Sequence, residues 1–379
     1  MTLPLSQNHA PIELSDNEKL VVAIVWHDKQ LSRGEITTRV PFTQQSTHRI
    51  VEALLEKKVL VLGDPIAKGR GKPSPSVRIN ARQYYSLGLS FIKGKGIYLR
   101  ISDLTGEAPP ETRLAIDNQY SEKVFEQLHL AVKHQLEMNN IEIDQVLGIG
   151  VALPSYRQKG NGEDEVFEAF GNWPKLDYAT VLSQQFSLPV WVDNSANCSA
   201  IAELMLGRGK EFDSFVYLSF GYGYGSGLVW RNELMSGGLG NAGQIGRTFT
   251  SDERPYRPAM ANLVQYLSDH NVDVNEDLEQ VAAKNMPLVV NWYQEVEPML
   301  IRSLRSFLGV FDPSAVVIGG HAPNSVKQLF EITINKVIGE QILVGYPTPE
   351  LYYSSIAIEG EAKGASLLPI KKILMVGSQ

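Results

Sequence analysis

Residues Ala67-Lys68-Gly69-Arg70-Gly71-Lys72-Pro73 place three cations in a run too rich in glycine and proline to be helical. Glycine lets backbone approach a phosphate closely, and a groove of negative potential draws in a cation such as Arg70, with Lys72 beside it. Earlier in the chain, Gln44, Gln45, Thr47 and His48 stand at the start of an apolar-periodic segment, followed by Arg49. Glutamine can pair with an adenine edge, threonine can touch a thymine methyl, and arginine suits a phosphate. Taken singly, each could be an ordinary polar residue on a solvated helix face. Taken with the cationic loop, they point to duplex DNA. Much later, Gly221-Tyr222-Gly223-Tyr224-Gly225-Ser226-Gly227 could cradle a phosphate on backbone amides. The plainer expectation is a strand-turn-strand hairpin in which the two tyrosines fill space.

The elements that must position these residues can be traced from the N-terminus. Ser15 with Glu18 three residues on is a capping box for a helix carrying Leu20, Val21, Ile24 and Val25. Ser32 caps a short segment, Arg33 to Thr38, with Ile36 inward. Thr43 caps a third helix reaching about Lys58, whose expected buried stripe is Ile50, Val51, Leu54 and Leu55. Val59-Leu60-Val61-Leu62 and Val77-Arg78-Ile79 then read as two strands flanking the cationic loop. Two short helices, a longer one and a two-stranded wing make a winged helix-turn-helix over residues 1–82.

From residue 84 the pattern changes to strands and helices in alternation. Candidate strands are Gly148–Ala152, Val190–Val192, Phe215–Leu218 and Ala315–Ile318; candidate helices are Glu122–Met138, Asp177–Phe186, Ala196–Leu206 and Pro287–Leu308. Such alternation implies α/β lobes with helices packed on mixed or parallel sheets.

Composition agrees with this division. Of 379 residues 43% are apolar, which supports substantial cores, and the length calls for two or three folded units. Residues 1–82 hold 12 Lys and Arg against 8 Asp and Glu, so the net charge of −7 leaves −11 for residues 83–379. A small basic unit on a larger acidic carrier suits nucleic-acid binding. The single cysteine, Cys198, excludes an internal disulfide and a cysteine-rich zinc cluster. Met1 to Pro11 lack the basic start and apolar run of a signal peptide, and no apolar run is long enough to span a membrane, so the cytoplasm is the expected location.

Four segments in order carry a resemblance. They are Val192-Asp193-Asn194-Ser195-Ala196-Asn197 through Glu203, the glycine run 221–227, Gly240-Asn241-Ala242-Gly243-Gln244-Ile245-Gly246, and Val317-Ile318-Gly319-Gly320. Together with the Gly69-Arg70-Gly71-Lys72-Pro73 wing they resemble the ROK family of repressors, open reading frames and kinases. The resemblance implies a two-lobed actin-like or hexokinase-like body, with lobes at 83–194 and 195–379 and the last helix returning to the first lobe. It also implies that regulators of the family use the sugar site as an effector pocket, and that they form homo-oligomers.

The same resemblance exposes what is missing for phosphoryl transfer. The family's base is an aspartate after an asparagine, whereas Asn194 is followed here by Ser195. Its first phosphate loop carries an acid and glycines where this chain has Ser90-Phe91-Ile92-Lys93-Gly94-Lys95. The sugar-gripping Glu-x-Gly-His becomes Gln244-Ile245-Gly246-Arg247, which removes the zinc-binding histidine, and no cysteine cluster follows. A later sugar-holding glutamate corresponds to Ala261. Loss of a general base alone costs about 10²–10⁴ in rate. A body without enzymatic activity, cofactor or metal is expected.

What remains at those positions is polar. Asn194, Ser195 and Gln244 can bond sugar hydroxyls, and Arg247 suits a carboxylate or phosphate unless an acid pairs with it. The resemblance places Asn172 and Trp173 on a loop over the sugar, with the indole face against a pyranose. A carbohydrate effector and double-stranded DNA are the expected partners. The rival readings are a carbohydrate kinase with unusual chemistry and a regulator whose body docks another protein.

Overall fold

The computed structural model describes residues 12–66, 74–116, 120, 123–158, 162–167, 170–340, 345–356 and 360–375. The chain forms two compact units, one of residues 1–154, 163–193 and 365–379, the other of residues 155–162 and 194–364. Among the described residues no helix is long and apolar enough to cross a membrane.

The first unit begins with α1 (Asp16–Asp28), β1 (Leu31–Ser32), α2 (Arg33–Thr37), α3 (Gln44–Glu56), β2 (Leu60–Ile66) and β3 (Ser74–Ile79). Each helix starts where a hydroxyl can take an orphan amide: Ser15 accepts from Glu18, Ser32 from Glu35 and Thr43 from Ser46. Leu31 pairs with Val77 and Leu60 with Ile79, giving the antiparallel order β1-β3-β2. Val21, Val22, Val25, Ile36, Val51 and Leu54 are fully buried beneath it. This is the expected winged helix-turn-helix. One detail of the stripe differs. Thr47, Val51 and Leu54 form the buried row of α3, spaced as one helical face, while Ile50 and Leu55 are only half-buried.

The module is fastened to the lobe that follows it. Asn80 Nδ2 donates to the Lys58 carbonyl and the Leu104 amide to the Ala81 carbonyl, at 2.9 Å each. The Trp26 indole nitrogen donates to the Leu104 carbonyl at 2.8 Å.

That lobe contains β4 (Tyr85–Ile92), β5 (Gly96–Asp103), β6 (Thr112–Leu114), α4 (Val124–Met138) and β7 (Val146–Leu153). A short strand, β8 (Ser155–Arg157), belongs to the second unit; β9 (Asp164–Val166), α5 (Tyr178–Phe186) and β10 (Val190–Asn194) follow. The sheet order is β6-β5-β4-β7-β10, with β4 parallel to β7. Leu87, Leu89 and Phe91 face a core shared with Val124, Leu128, Val132 and Leu136 of α4. The alternate residues of β4 are small, Ser86, Gly88 and Ser90, and the chain's last helix exploits them. A side chain on Gly150 of β7 would stand 1.8 Å from the Ala365 carbonyl oxygen. Ser86 donates to the Ser366 carbonyl, and the Ser102 and Ser366 hydroxyls lie 2.7 Å apart.

The second unit holds α6 (Ser195–Leu206), β11 (Phe215–Phe220), β12 (Tyr224–Trp230), β13 (Glu233–Leu234), α7 (Met260–Asp269), α8 (Leu278–Lys284), α9 (Met286–Val310), β14 (Ala315–Gly319), α10 (Asn324–Gly339) and β15 (Glu350–Tyr353). The last helix, α11 (Gly360–Leu374), begins in this unit. Its sheet order is β13-β12-β11-β14-β15, antiparallel through the first three strands and parallel from β11 to β15. Numbered within each sheet, both five-stranded sheets run 3-2-1-4-5. This repeated order is the actin-like, two-lobed α/β architecture expected from the motifs.

The Glu18 carboxylate is the sharpest test of the N-terminal module. It takes the Ser15 amide at 2.7 Å and the Ser15 hydroxyl at 2.9 Å, and Lys57 Nζ at 2.7 Å. Burial raises its pKa, but the Lys57 bond, the Ser15 donors and the Lys57 charge outweigh burial and hold it below the ordinary carboxylate range. Its contribution is therefore complete above the unfolded carboxylate range and is lost as pH falls through the lower folded value. Glu18→Ala is expected to cost the module about 1–2 kcal/mol near neutral pH, shrinking in acid. Hydrogen exchange of the α1 and α3 amides in the intact chain measures this; a cost independent of pH would contradict the assignment.

Candidate nucleic-acid interface and effector site

The N-terminal turn of α3 presents Gln44, Gln45, His48 and Arg49 as exposed residues on one side of the helix. Thr47, expected at a base edge, is not among them. It is fully buried, and its Oγ1 donates to the Thr43 carbonyl at 3.1 Å. That bond satisfies the hydroxyl without water, so the side chain can occupy the core stripe and cannot reach DNA. Arg70 and Lys72 lie outside the described residues, as does the rest of the loop 67–73. The strands that carry the loop, β2 and β3, pair up to Ile66 and Ser74.

Sequence reasoning missed Arg33. It lies at the start of α2 with Nη2 2.6 Å from Glu52 Oε1, and with Nη1 2.9 Å from His48 Nδ1. No spacing rule joins residues this far apart; only the docking of α2 on α3 does so.

The expected effector residues fall into two groups, one in each unit. In the second unit Asn194 Nδ2 donates to the Ser155 carbonyl at 2.8 Å, and Gln244 Nε2 donates to the same oxygen at 3.2 Å. The Asn194 oxygen also caps α6, accepting from the Ala196 amide at 3.0 Å. Asn241 holds residue 157 from both sides, accepting from the Arg157 amide and donating to its carbonyl. The polar atoms of Asn194 and Gln244 thus support the local backbone. Arg247 follows Gln244 in a short 3-10 turn (Ile245–Thr248) and is exposed, without an ion pair among the described residues. Glu253, further along the chain, is held by Arg302 at 2.6 Å.

In the first unit Asn172 is exposed. Trp173 is a correction. Its ring is only 8% exposed and is enclosed by Phe91, Tyr120, Phe125 and Tyr178 at centroid distances of 5.5–6.2 Å. An indole surrounded in this way gains more from the aromatic cluster than from a sugar face, and it presents no open face for stacking.

Ser195 is the first residue of α6; its Oγ is buried and makes no hydrogen bond among the described residues. A serine hydroxyl is a far weaker proton acceptor than a carboxylate near neutral pH. Residues 93–95 form the turn between β4 and β5. The run 221–227 is the expected hairpin, with Phe220 opposite Tyr224. Tyr224 is buried against Phe220 and shares a hydrogen bond with Ser303 at 3.0 Å, whereas Tyr222 is 41% exposed. A side chain on Gly227 would stand 2.6 Å from the Ala200 Cβ, so this glycine lets β12 lie against α6. Among the described residues no group of three or more His, Cys, Asp or Glu could hold a metal ion.

These environments separate supporting residues from spare ones. Asn194→Ala, which removes a cap and a bridge to Ser155, is expected to destabilise the second unit by about 1–2 kcal/mol. Arg247→Met should stay within about 0.5 kcal/mol of the parent, since an exposed unpaired side chain leaves nothing unsatisfied. Urea denaturation of the two variants beside the parent decides it, and equal losses would contradict the distinction.

The xylose repressor of Bacillus subtilis strain 168 is 23% identical, over 94% of this chain and 96% of its own length. A solved ROK family transcriptional regulator, described as a homologue of the Escherichia coli MLC protein, superposes with a TM-score of 0.74. It is 21% identical and covers 95% of this chain and 96% of its own. The ROK family glucokinase of Streptomyces griseus, solved with glucose and AMPPNP, gives a TM-score of 0.60 at 20% identity. It covers 98% of its own chain but 75% of this one, leaving uncovered a share about the size of the N-terminal module. The family model described as ROK family matches residues 94–371, and the chain belongs to the ROK family.

Proposed function

We propose that this protein is a sequence-specific DNA-binding transcriptional regulator, a repressor of carbohydrate-related genes, whose two-lobed body binds an effector and performs no catalysis. The observation that carries this reading is the winged helix, with Gln44, Gln45, His48 and Arg49 exposed together on the N-terminal turn of α3. That face has the geometry of a recognition helix, and glutamine side chains there can read adenine. The loop bearing Arg70 and Lys72 would add phosphate or minor-groove contacts. Relatives named as xylose repressors over nearly the full chain support a sugar-linked role. Such a protein works in the cytoplasm.

A non-enzymatic body is supported by Ser195, whose isolated hydroxyl stands where the family's kinases carry a base. The effector is a carbohydrate or derivative, to which the second unit offers the polar side chains of Asn194, Ser195 and Gln244. Arg247 offers an unpaired charge to an acidic or phosphorylated sugar. A ligand that favours one arrangement of the lobes over another shifts their equilibrium and so changes DNA affinity. Two copies are needed for paired half-sites, so a homo-oligomer is part of the reading.

The test is footprinting on the DNA upstream of its own gene, at low and high salt. It is repeated with neutral sugars, sugar acids and sugar phosphates. Salt-sensitive, sequence-selective protection that one sugar class relieves is expected. Arg247→Met should weaken the response to an acidic or phosphorylated effector about tenfold or more and leave a neutral one unchanged. Absence of selective protection, or ATP consumption on addition of a hexose, would overturn the reading.

A further inference from the structure

His48 is the one base-facing candidate whose hydrogen-bonding character is set by its neighbours. Its Nδ1 lies 2.9 Å from Arg33 Nη1. A guanidinium has donors only, so Nδ1 must accept, and the ring proton resides on Nε2. Nε2 is 3.8 Å from Glu52 Oε1, beyond hydrogen-bond reach, and the side chain is 59% exposed. Glu52 instead holds the far side of Arg33 at 2.6 Å. Arg33 is thereby tied between a carboxylate and the imidazole. Three side chains from α2 and α3 form one chain of contacts that ends at the Nε2–H of a side chain that is more than half exposed.

We propose that Arg33 and Glu52 are positioning residues that hold His48 as its Nε2–H tautomer, making it a donor that rejects cytosine at one operator position. This rests on the reading of the N-terminal module as a DNA reader. In the major groove guanine offers N7 and O6, adenine N7 and thymine O4 as acceptors, whereas cytosine offers only its amino donor. An imidazole free to exchange tautomers could turn a lone pair towards that amino group. With Nδ1 engaged by Arg33 it cannot. Gln44 and Gln45 carry both a donor and an acceptor, so the exclusion of a single base belongs to His48.

The experiment is selection of binding sites from randomised duplex DNA by the full-length chain, with base frequencies read by sequencing. Parent, His48→Ala, Arg33→Met, Arg33→Lys and Glu52→Gln are compared, and thermal denaturation reports folding. The parent should disfavour cytosine at one position per half-site by about fivefold to a hundredfold, the usual cost of a mismatched base pair. H48A and R33M should both relax that position towards parity and leave the others unchanged. R33K, which keeps a donor, should retain the exclusion. E52Q, which loosens Arg33 without deleting a donor, should fall between. The proposal is overturned if R33M and E52Q keep the cytosine bias that H48A loses, or if H48A changes no position. A uniform loss across all positions in R33M with melting unchanged would make Arg33 a phosphate contact and also overturn it. If R33M fails to fold, E52Q alone decides. Failure of the parent to enrich any sequence would instead defeat the DNA-binding reading itself.

Discussion

The main chain of Leu104 is engaged from both ends. Its carbonyl takes the indole proton of Trp26 from α1, and its amide donates to Ala81 just after the wing. Leu104 is itself fully buried, and Asn80 ties the same short connection back to α3 through the Lys58 carbonyl. A connection of this kind is not a tether. Buried backbone groups that are paired are costly to expose, so the winged helix and the β4–β5 hairpin must move together. A displacement of this hairpin is therefore passed to the winged helix as a rigid movement.

The return of α11 imposes a second constraint. For its Ala365 carbonyl to lie over β7, the facing positions must carry almost no side chain, and Gly150 meets that need while Ser86 and Ser102 bond Ser366. Pro369, inside α11, has no amide to give the Ala365 carbonyl four residues back. The Ala365 carbonyl thus lacks its ordinary helical partner where the chain passes from one compact unit to the other.

Much of this was legible because it is local. The hydroxyl caps at Ser15, Ser32 and Thr43, the wing strands, and the alternation after residue 84 are written in spacings of two to four residues, and they hold. The misreadings at the candidate sites come from side chains whose surroundings are not local. Thr47 has a polar side chain, but its bond to Thr43 lets it serve as a core residue. Trp173 falls on a loop that motif order assigns to the sugar, yet its partners come from β4, α4 and α5. Arg33 has the type and exposure expected of a phosphate contact; that α3 would claim it could be known only once the helices were packed.

The glycine segments remain while the carboxylates do not, and packing accounts for the difference. A side chain on Gly227 would meet Ala200, and one on Gly225 would stand 3.2 Å from the Ala196 Cβ, so these residues let β12 lie against α6 whether or not a nucleotide binds. An acid at position 195 would have no such work. The Ser195 hydroxyl is enclosed without a partner, and an ionised carboxylate at the same place would carry a desolvation cost of several kcal/mol that only a substrate or cation could offset. Without such a partner an acid there would destabilise the fold, and a small neutral side chain does not. The glycine motifs are therefore evidence of architecture and cannot count as evidence of nucleotide binding.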